Sequence, residues 1–217
     1  MSAESTQCAD GIVLGPDGRP RCFWQAGTPD YQTYHDTEWG RPVSDDRALY
    51  EKLCLEGFQA GLSWITILRK RPAFRELFEG FDVERVARLT EGDAERIAAD
   101  ARIIRHRGKV DAAIVNARAV IRLRDETGSS LAAFLWAFEP PAAERPVQMT
   151  LAWLRQNTVI PQSAAMSKAL RKRGFNFVGP TTCYAFMQSM GFVNDHVEGC
   201  ICRQPCEAER AAFVRPR

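Results

Sequence analysis

Glu56-Gly-Phe-Gln-Ala-Gly-Leu-Ser-Trp64 places a carboxylate, two flexible glycines and a tryptophan within nine residues. Apolar periodicity lapses where Glu56 and Gln59 intrude. These are the parts needed to hold a base drawn out of a nucleic-acid stack: a stacking face, an acceptor for an exocyclic amine and an apolar wedge for the vacated space. Taken singly, Glu56 also reads as a solvated helix-end carboxylate and Trp64 as a core aromatic. Both alternatives stay open on chemistry alone.

A second set of chemically active residues lies at the two ends of the chain. Cys22 and His35 come early, His196 and Cys200 late. His-x3-Cys puts two ligands one helical turn apart, and two thiolates with two imidazoles form a donor set that zinc favours. A site closed by four protein ligands leaves no position for substrate, so its role would be structural. Against this, four scattered residues can coincide by chance, and Cys202 and Cys206 offer alternative thiols. The His-x-Glu and Pro-Cys-x-x-Cys pattern of zinc deaminases is absent.

Two basic clusters each sit beside a glycine: Arg102-Ile-Ile-Arg105-His-Arg107-Gly108-Lys109 and Lys168-Ala-Leu-Arg171-Lys172-Arg173-Gly174. Either reads most simply as a solvated helix face. The first falls between a helix ending near Ala101 and one starting near Lys109. A glycine-containing turn there would aim backbone N–H groups and the charges of Arg105, Arg107 and Lys109 at a phosphate without reading sequence.

Helices must position all of this. Asp45 or Asp46 can cap one carrying Leu49 and Leu53, which ends near Gly57 or Gly61. The next carries Trp64, Ile65 and Leu68 and is expected to break at Pro72. Asp82 can cap a short helix, Thr90 with Asp93 forms a capping box, and Val110, Ile114, Ala117 and Ile121 give a period of 3.6 up to the Thr127-Gly128 turn. Residues 139 to 162 are hard to read, apart from a short helical pattern at Leu151–Leu154. Ser163 can cap a helix that closes at Gly174. No alternating pattern exceeds four residues and no internal repeat is found, so the expected fold class is all-α.

Composition excludes several classes. Of 217 residues, 45% are hydrophobic and 26% charged, which suits a packed globular chain. No run approaches the roughly 18 apolar residues that span a bilayer, and the N-terminus carries no export pattern, so cytoplasmic residence without a membrane partner is expected. Seven cysteines in a reducing compartment point to thiols or metal ligands rather than disulfides. A net charge of +2 neither demands nor excludes nucleic acid. Residues 1–20, turn-rich and without period, are expected to be a disordered leader. Residues 21–206 should form a single domain of two helical lobes around a pocket, and 207–217 a tail.

Longer motifs bring these readings together. Cys22-x-Trp24, Asp30-Tyr31-x-x-Tyr34-His35-Asp-x-Glu-Trp-Gly40, Cys54-Leu-Glu56-Gly-x-Gln-Ala-Gly-Leu62-Ser-Trp64, Ile103-Ile-Arg105-His-Arg107-Gly108-Lys109, Lys172-Arg-Gly-Phe-x-Phe-Val-Gly179 and Asn194-Asp-His196-Val-x-Gly-Cys200 occur in order from about residue 21 to 202. Together they resemble the DNA-3-methyladenine glycosylase I family. The resemblance implies a helix-hairpin-helix glycosylase fold, alkylated double-stranded DNA as partner and one structural Zn2+ at Cys22, His35, His196 and Cys200. It also implies that Glu56 contacts the base edge, that Trp64 and Tyr34 stack on the base and that Tyr31 lies alongside. Leu62 is the expected wedge. Two positions depart from the pattern: Arg102 stands where a glycine is expected in the hairpin, and Phe58 replaces a polar residue beside the pocket.

3-Methyladenine is a cation in DNA and departs neutral, so its glycosidic bond is already weakened. Aromatic faces attract such a cation by roughly 0.5 to 2 kcal/mol each, and a buried carboxylate adds a charge-assisted hydrogen bond. The expected reaction is monofunctional hydrolysis by water at C1′, leaving an abasic site, carried out by a monomer. Asp125 reads as a solvated residue among charged neighbours rather than a catalytic one. The competing readings are a lesion-binding module without activity and a zinc-dependent hydrolase with an open metal site.

Overall fold

The computed structural model describes residues 11–25 and 27–217. In chain order its elements are β1 (Ile12–Leu14), β2 (Pro20–Cys22), α1 (Pro29–Thr37), α2 (Asp46–Gln59), α3 (Trp64–Leu77), α4 (Val83–Ala87), α5 (Glu91–Ala99), α6 (Arg107–Thr127), α7 (Leu131–Trp136), α8 (Leu151–Gln156), α9 (Pro161–Lys172), α10 (Pro180–Ser189) and α11 (Arg203–Ala212). Helices dominate, as the periodicity predicts. They fall into two compact units, one of residues 43–138, 159–186 and 215–217, the other of residues up to 42 with 139–158 and 187–214.

In the first unit the expected caps resolve in detail. Asp45 caps α2, accepting from the Ala48 N–H at 2.7 Å. Asp46 points elsewhere: its carboxylate takes the N–H groups of Leu131 and Ala132 at 3.1 and 2.7 Å, capping α7 from 85 residues away. Asp82 caps α4, Thr90 and Asp93 form the reciprocal box on α5, and Gly128 closes α6 in the left-handed region. Ser163 lies inside α9, which starts at Pro161, and its hydroxyl instead bonds the backbone of Ile160.

Pro72 does not break its helix. It sits within α3, which runs on to Leu77 because Phe74 and Phe78 beyond the proline are fully buried against Phe58. Packing of those rings outweighs one lost backbone hydrogen bond.

The packing of α2 on α6 depends on a buried lysine. Lys109, 7% exposed, donates from Nζ to the carbonyls of Phe58 and Ala60 at 2.9 and 2.7 Å, satisfying the C-terminal end of α2. Two turns further along the same face of α6, Asn116 holds the 174–179 loop by accepting from Asn176 N–H and donating to Asn176 O.

The second unit contains the largest departure from the sequence reading. Residues 1–10 lie outside the described residues. Residues 11–20, expected to be disordered, instead form most of a β-hairpin in which Ile12 pairs with Cys22 and a turn at Gly15–Gly18 reverses the chain. Strands of three residues are too short to show alternation, and besides burying Ile12 and Cys22 the hairpin is held by a charged side chain. Buried Arg21 makes bidentate contacts with Asp17 (2.7 and 2.8 Å) and Asp36 (2.9 and 2.8 Å). The expected tail from 207 begins inside α11.

Replacing Lys109 by Met should lower the unfolding free energy by about 1–3 kcal/mol, since two helix-end carbonyls lose a charged donor. Urea denaturation checks this. An unchanged midpoint would mean that the lysine is dispensable to the fold.

Candidate functional site

In the second unit, one donor atom from each of His35, His196, Cys200 and Cys202 lies within 4.8 Å of the others, and all four residues are buried. α1 supplies His35, and its Nε2 is 3.5 Å from Cys200 Sγ. His196 and the cysteines come from the turns before α11. Arg203 fixes these turns by donating to the carbonyls of His196 and Asn194 at 2.8 and 3.3 Å. Gly40 passes so close that a Cβ there would stand 2.7 Å from His196 Cε1. Trp24 and Trp39 wall the cluster, their ring centroids 5.1 Å from His35 and 4.6 Å from His196 respectively.

The imidazoles are oriented as metal ligands require. Asp36 Oδ1, an acceptor, lies 2.8 Å from His35 Nδ1, so that nitrogen carries the proton and Nε2 presents its lone pair. Asn194 directs Nδ2 to Arg203 O and Glu207 Oε1, which leaves its Oδ1 to accept from His196 Nδ1 at 2.9 Å. His196 Nε2 is then a buried lone pair without a hydrogen-bond partner. Burial holds this imidazole neutral, its pKa pushed down to about 3. The thiols of Cys202 and Cys22 both donate to Cys200, which drives Cys200 far below the ordinary thiol range and raises the two donors. Orphaned imidazole nitrogen, thiolate and carboxylate-backed histidine together fit a bound metal ion.

Three of the four expected ligands therefore meet in one group. Cys202 completes the tightest set, and Cys22, at the end of β2, reaches it through Cys200. Cys202 Sγ lies 3.8 Å from both His35 Nδ1 and Asp36 Oδ1, on the proton-bearing side of the ring. Tyr31 and Tyr34 belong to the same unit. Both sit on α1 with ring centroids 6.5 Å apart, and Trp24 lies 5.1 Å from the first and 6.4 Å from the second.

In the first unit, Glu56 occupies the last turns of α2 and is 5% exposed, so it is not a solvated helix-end carboxylate. Trp64 opens α3 and is also buried. What joins them is a residue that the sequence reading passed over. Lys52, 8% exposed, places Nζ 4.0 Å from Glu56 Oε1 and 3.9 Å from the centroid of the Trp64 ring. Its i,i+4 spacing from Glu56 was the available signal. Between the two helices Gly61 turns the chain at φ 84° and leaves Leu62 42% exposed at the tip. Phe58, fully buried, points into the core against Phe74, ring centroids 4.6 Å apart.

The hairpin residues separate by environment. Arg105 and Gly108 are exposed at the entry to α6, whose N-cap is His106 accepting from Lys109 N–H at 3.2 Å. Arg107 is engaged with Asp111 at 2.8 Å and with Glu91, and Lys109 is the buried helix-end donor described above. Arg102 is held by Asp100 and Glu76, both at 2.8 Å. Asp125 is exposed near the end of α6.

Residues 24–204 match the family model described as methyladenine glycosylase. The DNA-3-methyladenine glycosylase 1 of Escherichia coli is 50% identical over 84% of this chain and 96% of its own length. A crystal structure of a 3-methyladenine DNA glycosylase I superposes with a TM-score of 0.77 at 49% identity, covering 84% of this chain and 99% of that one. The Staphylococcus aureus enzyme, whose structure addresses 3-methyladenine recognition, gives 0.75 at 34% identity over 82% and 93%. With the family model matching residues 24–204 and half of the aligned residues shared with nearly the whole E. coli protein, the chain belongs to the methyladenine glycosylase family.

Proposed function

We propose that the chain is a monofunctional DNA glycosylase that releases 3-methyladenine from alkylated double-stranded DNA and leaves an abasic site. The observation that carries this reading is the cation already lodged between Glu56 and Trp64. A buried carboxylate beside an indole face attracts a positive charge, and 3-methyladenine in DNA bears one. Neutral adenine forgoes that attraction.

Within this reading Glu56 is the catalytic group, accepting from the exocyclic amine of the cationic base. Trp64 and Tyr34 stack on the base and Tyr31 borders it. Leu62 fills the gap left in the duplex, supported by its exposure at the loop tip. Arg105 and the backbone N–H of Gly108 meet phosphate at the start of α6. Arg107 and Lys109 support that hairpin through their ion pairs and carbonyl contacts rather than through the backbone of DNA. Water attacks C1′ as the bonding pair leaves with the base, and no lysine Schiff base forms.

One Zn2+ held by Cys22, His35, His196 and Cys200 would supply a structural bond between the two ends of the chain. Cys202 lies on the Asp36 side of His35 and is left as a neighbour. The protein acts as a monomer in the cytoplasm, and among the described residues no helix is long and apolar enough to cross a membrane.

Glu56→Gln should slow release of free 3-methyladenine from methylated DNA roughly ten- to a hundredfold, the value of one charge-assisted hydrogen bond. Release at the parental rate would remove Glu56 from the site, and a borohydride-trapped adduct would refute hydrolysis by water.

For the metal, Cys22→Ser should reduce bound zinc, measured by mass spectrometry under native conditions, while Cys202→Ser retains one equivalent. The reverse pattern would move the fourth ligand to Cys202. Chelation should unfold the second unit, because the free energy of metal binding is also folding free energy. Inactivation with the fold intact would instead favour a catalytic ion.

Arg105→Ala should weaken DNA binding evenly across sequences and reduce the slope of log affinity against log salt by about one. An unchanged slope would place the phosphate contact elsewhere.

A further inference from the structure

Lys52 lies one helical turn before Glu56 on α2. Its ammonium stands 3.9 Å over the Trp64 ring and 4.0 Å from the Glu56 carboxylate, in a setting where lysine is rarely found unless paired. Those are the two groups that a cationic base would use. We propose that Lys52 is a specificity-determining residue that fills the cation seat while no base is bound, so that capture of the alkylated base exchanges one cation for another. This rests on the reading of Glu56 and Trp64 as the base seat.

The exchange follows from charge. A carboxylate buried without a counter-ion is costly, and Lys52 removes that cost in the empty protein. When the methylated base enters, two cations face one carboxylate, and the ammonium, on a flexible four-carbon stem, is the group able to leave. Cleavage then sends the C1′–N9 bonding pair to the base and neutralises it. The neutral base no longer competes on charge, so the ammonium regains the seat and the product is released. With Lys52 in place the seat is neutral overall, and without it the seat carries a full negative charge.

The test compares two ligands that differ by one methyl group and a fixed positive charge: 9-methyladenine and 3,9-dimethyladeninium. Titration calorimetry of the full chain measures both on the parent, on Lys52→Met and on Lys52→Arg. Lys52→Met should bind the cation at least about tenfold more tightly, since a like charge within a few ångströms has gone. Its affinity for the neutral ligand should change by no more than about threefold, and Lys52→Arg should follow the parent. Unchanged or weaker binding of the cation by Lys52→Met would overturn the exchange. Should Lys52→Met prove too unstable to titrate, Lys52→Gln removes the charge with a polar side chain and carries the same expectation. Glu56→Gln and Trp64→Ala separate the two levels. If both leave both affinities unaltered, the base seat itself is wrong; if either weakens the cation while Lys52→Met does nothing, the seat stands and the exchange falls.

Discussion

The second unit is assembled from three stretches of chain that begin far apart, and where the hairpin meets the turns before α11 one buried cluster holds Ile12, Cys22, Val197, Cys200, Cys202 and Cys206. Four of those six residues are cysteines. A cluster this small contributes little hydrophobic free energy, so the joint between these segments depends on directed bonds. The chain of contacts from Asp17 through Arg21 and Asp36 to His35, and from His35 to Cys200, supplies them. Each link satisfies a charge or lone pair that would be costly if left alone in the interior. The hairpin, α1 and the turn before α11 are thereby fixed by the same network that orients the imidazoles of the candidate metal cluster, and Tyr31 and Tyr34 are carried on the helix between them.

The first unit solves a different problem. Its helices bury enough apolar surface to pack, and the difficulty lies in the ends of helices that terminate inside the structure. Asp46 caps α7 across 85 residues and Lys109 closes the end of α2 across about 50. Lys109 ties the α2–α3 turn, which presents Leu62, to the body of the unit, and Asp46 fastens the opposite end of α2. A loop anchored at its carbonyls can hold Glu56 and Trp64 at fixed separation, and recognition of a base needs that rigidity.

Most helices were legible because their signals are local. A capping carboxylate, a period of 3.6 and a terminal glycine lie within one window of sequence, and Thr90, Asp93 and Gly128 act where they stand. Four features were not local. The hairpin owes its order to Arg21 reaching Asp36; Pro72 survives in α3 because of rings packed from α2; Lys109 looks like one more basic residue until its carbonyl partners are known; and Lys52 was hidden on a helix read only for its leucines. The motif carrying Glu56 and Trp64 was evident, whereas the reason that the two cooperate was not. The metal ligands were the reverse case. Cys22, His35, His196 and Cys200 could be listed from the sequence as candidates, but only folding brings residues 165 positions apart to 3.5 Å and sets Cys202 beside His35, His196 and Cys200.

The electrostatics of the proposed base seat follow from burial. A carboxylate in solvent would discriminate weakly between a cationic and a neutral base, because water screens the difference. Sinking Glu56 to the last turns of α2 magnifies it, and the same burial obliges the protein to provide a counter-charge when the seat is empty. Lys52 answers that obligation from the same helix, and Trp64 offers its face to either cation. If the base sits at Glu56 as proposed, selectivity for a charged lesion and the need for a resident cation are therefore two consequences of burying one acid.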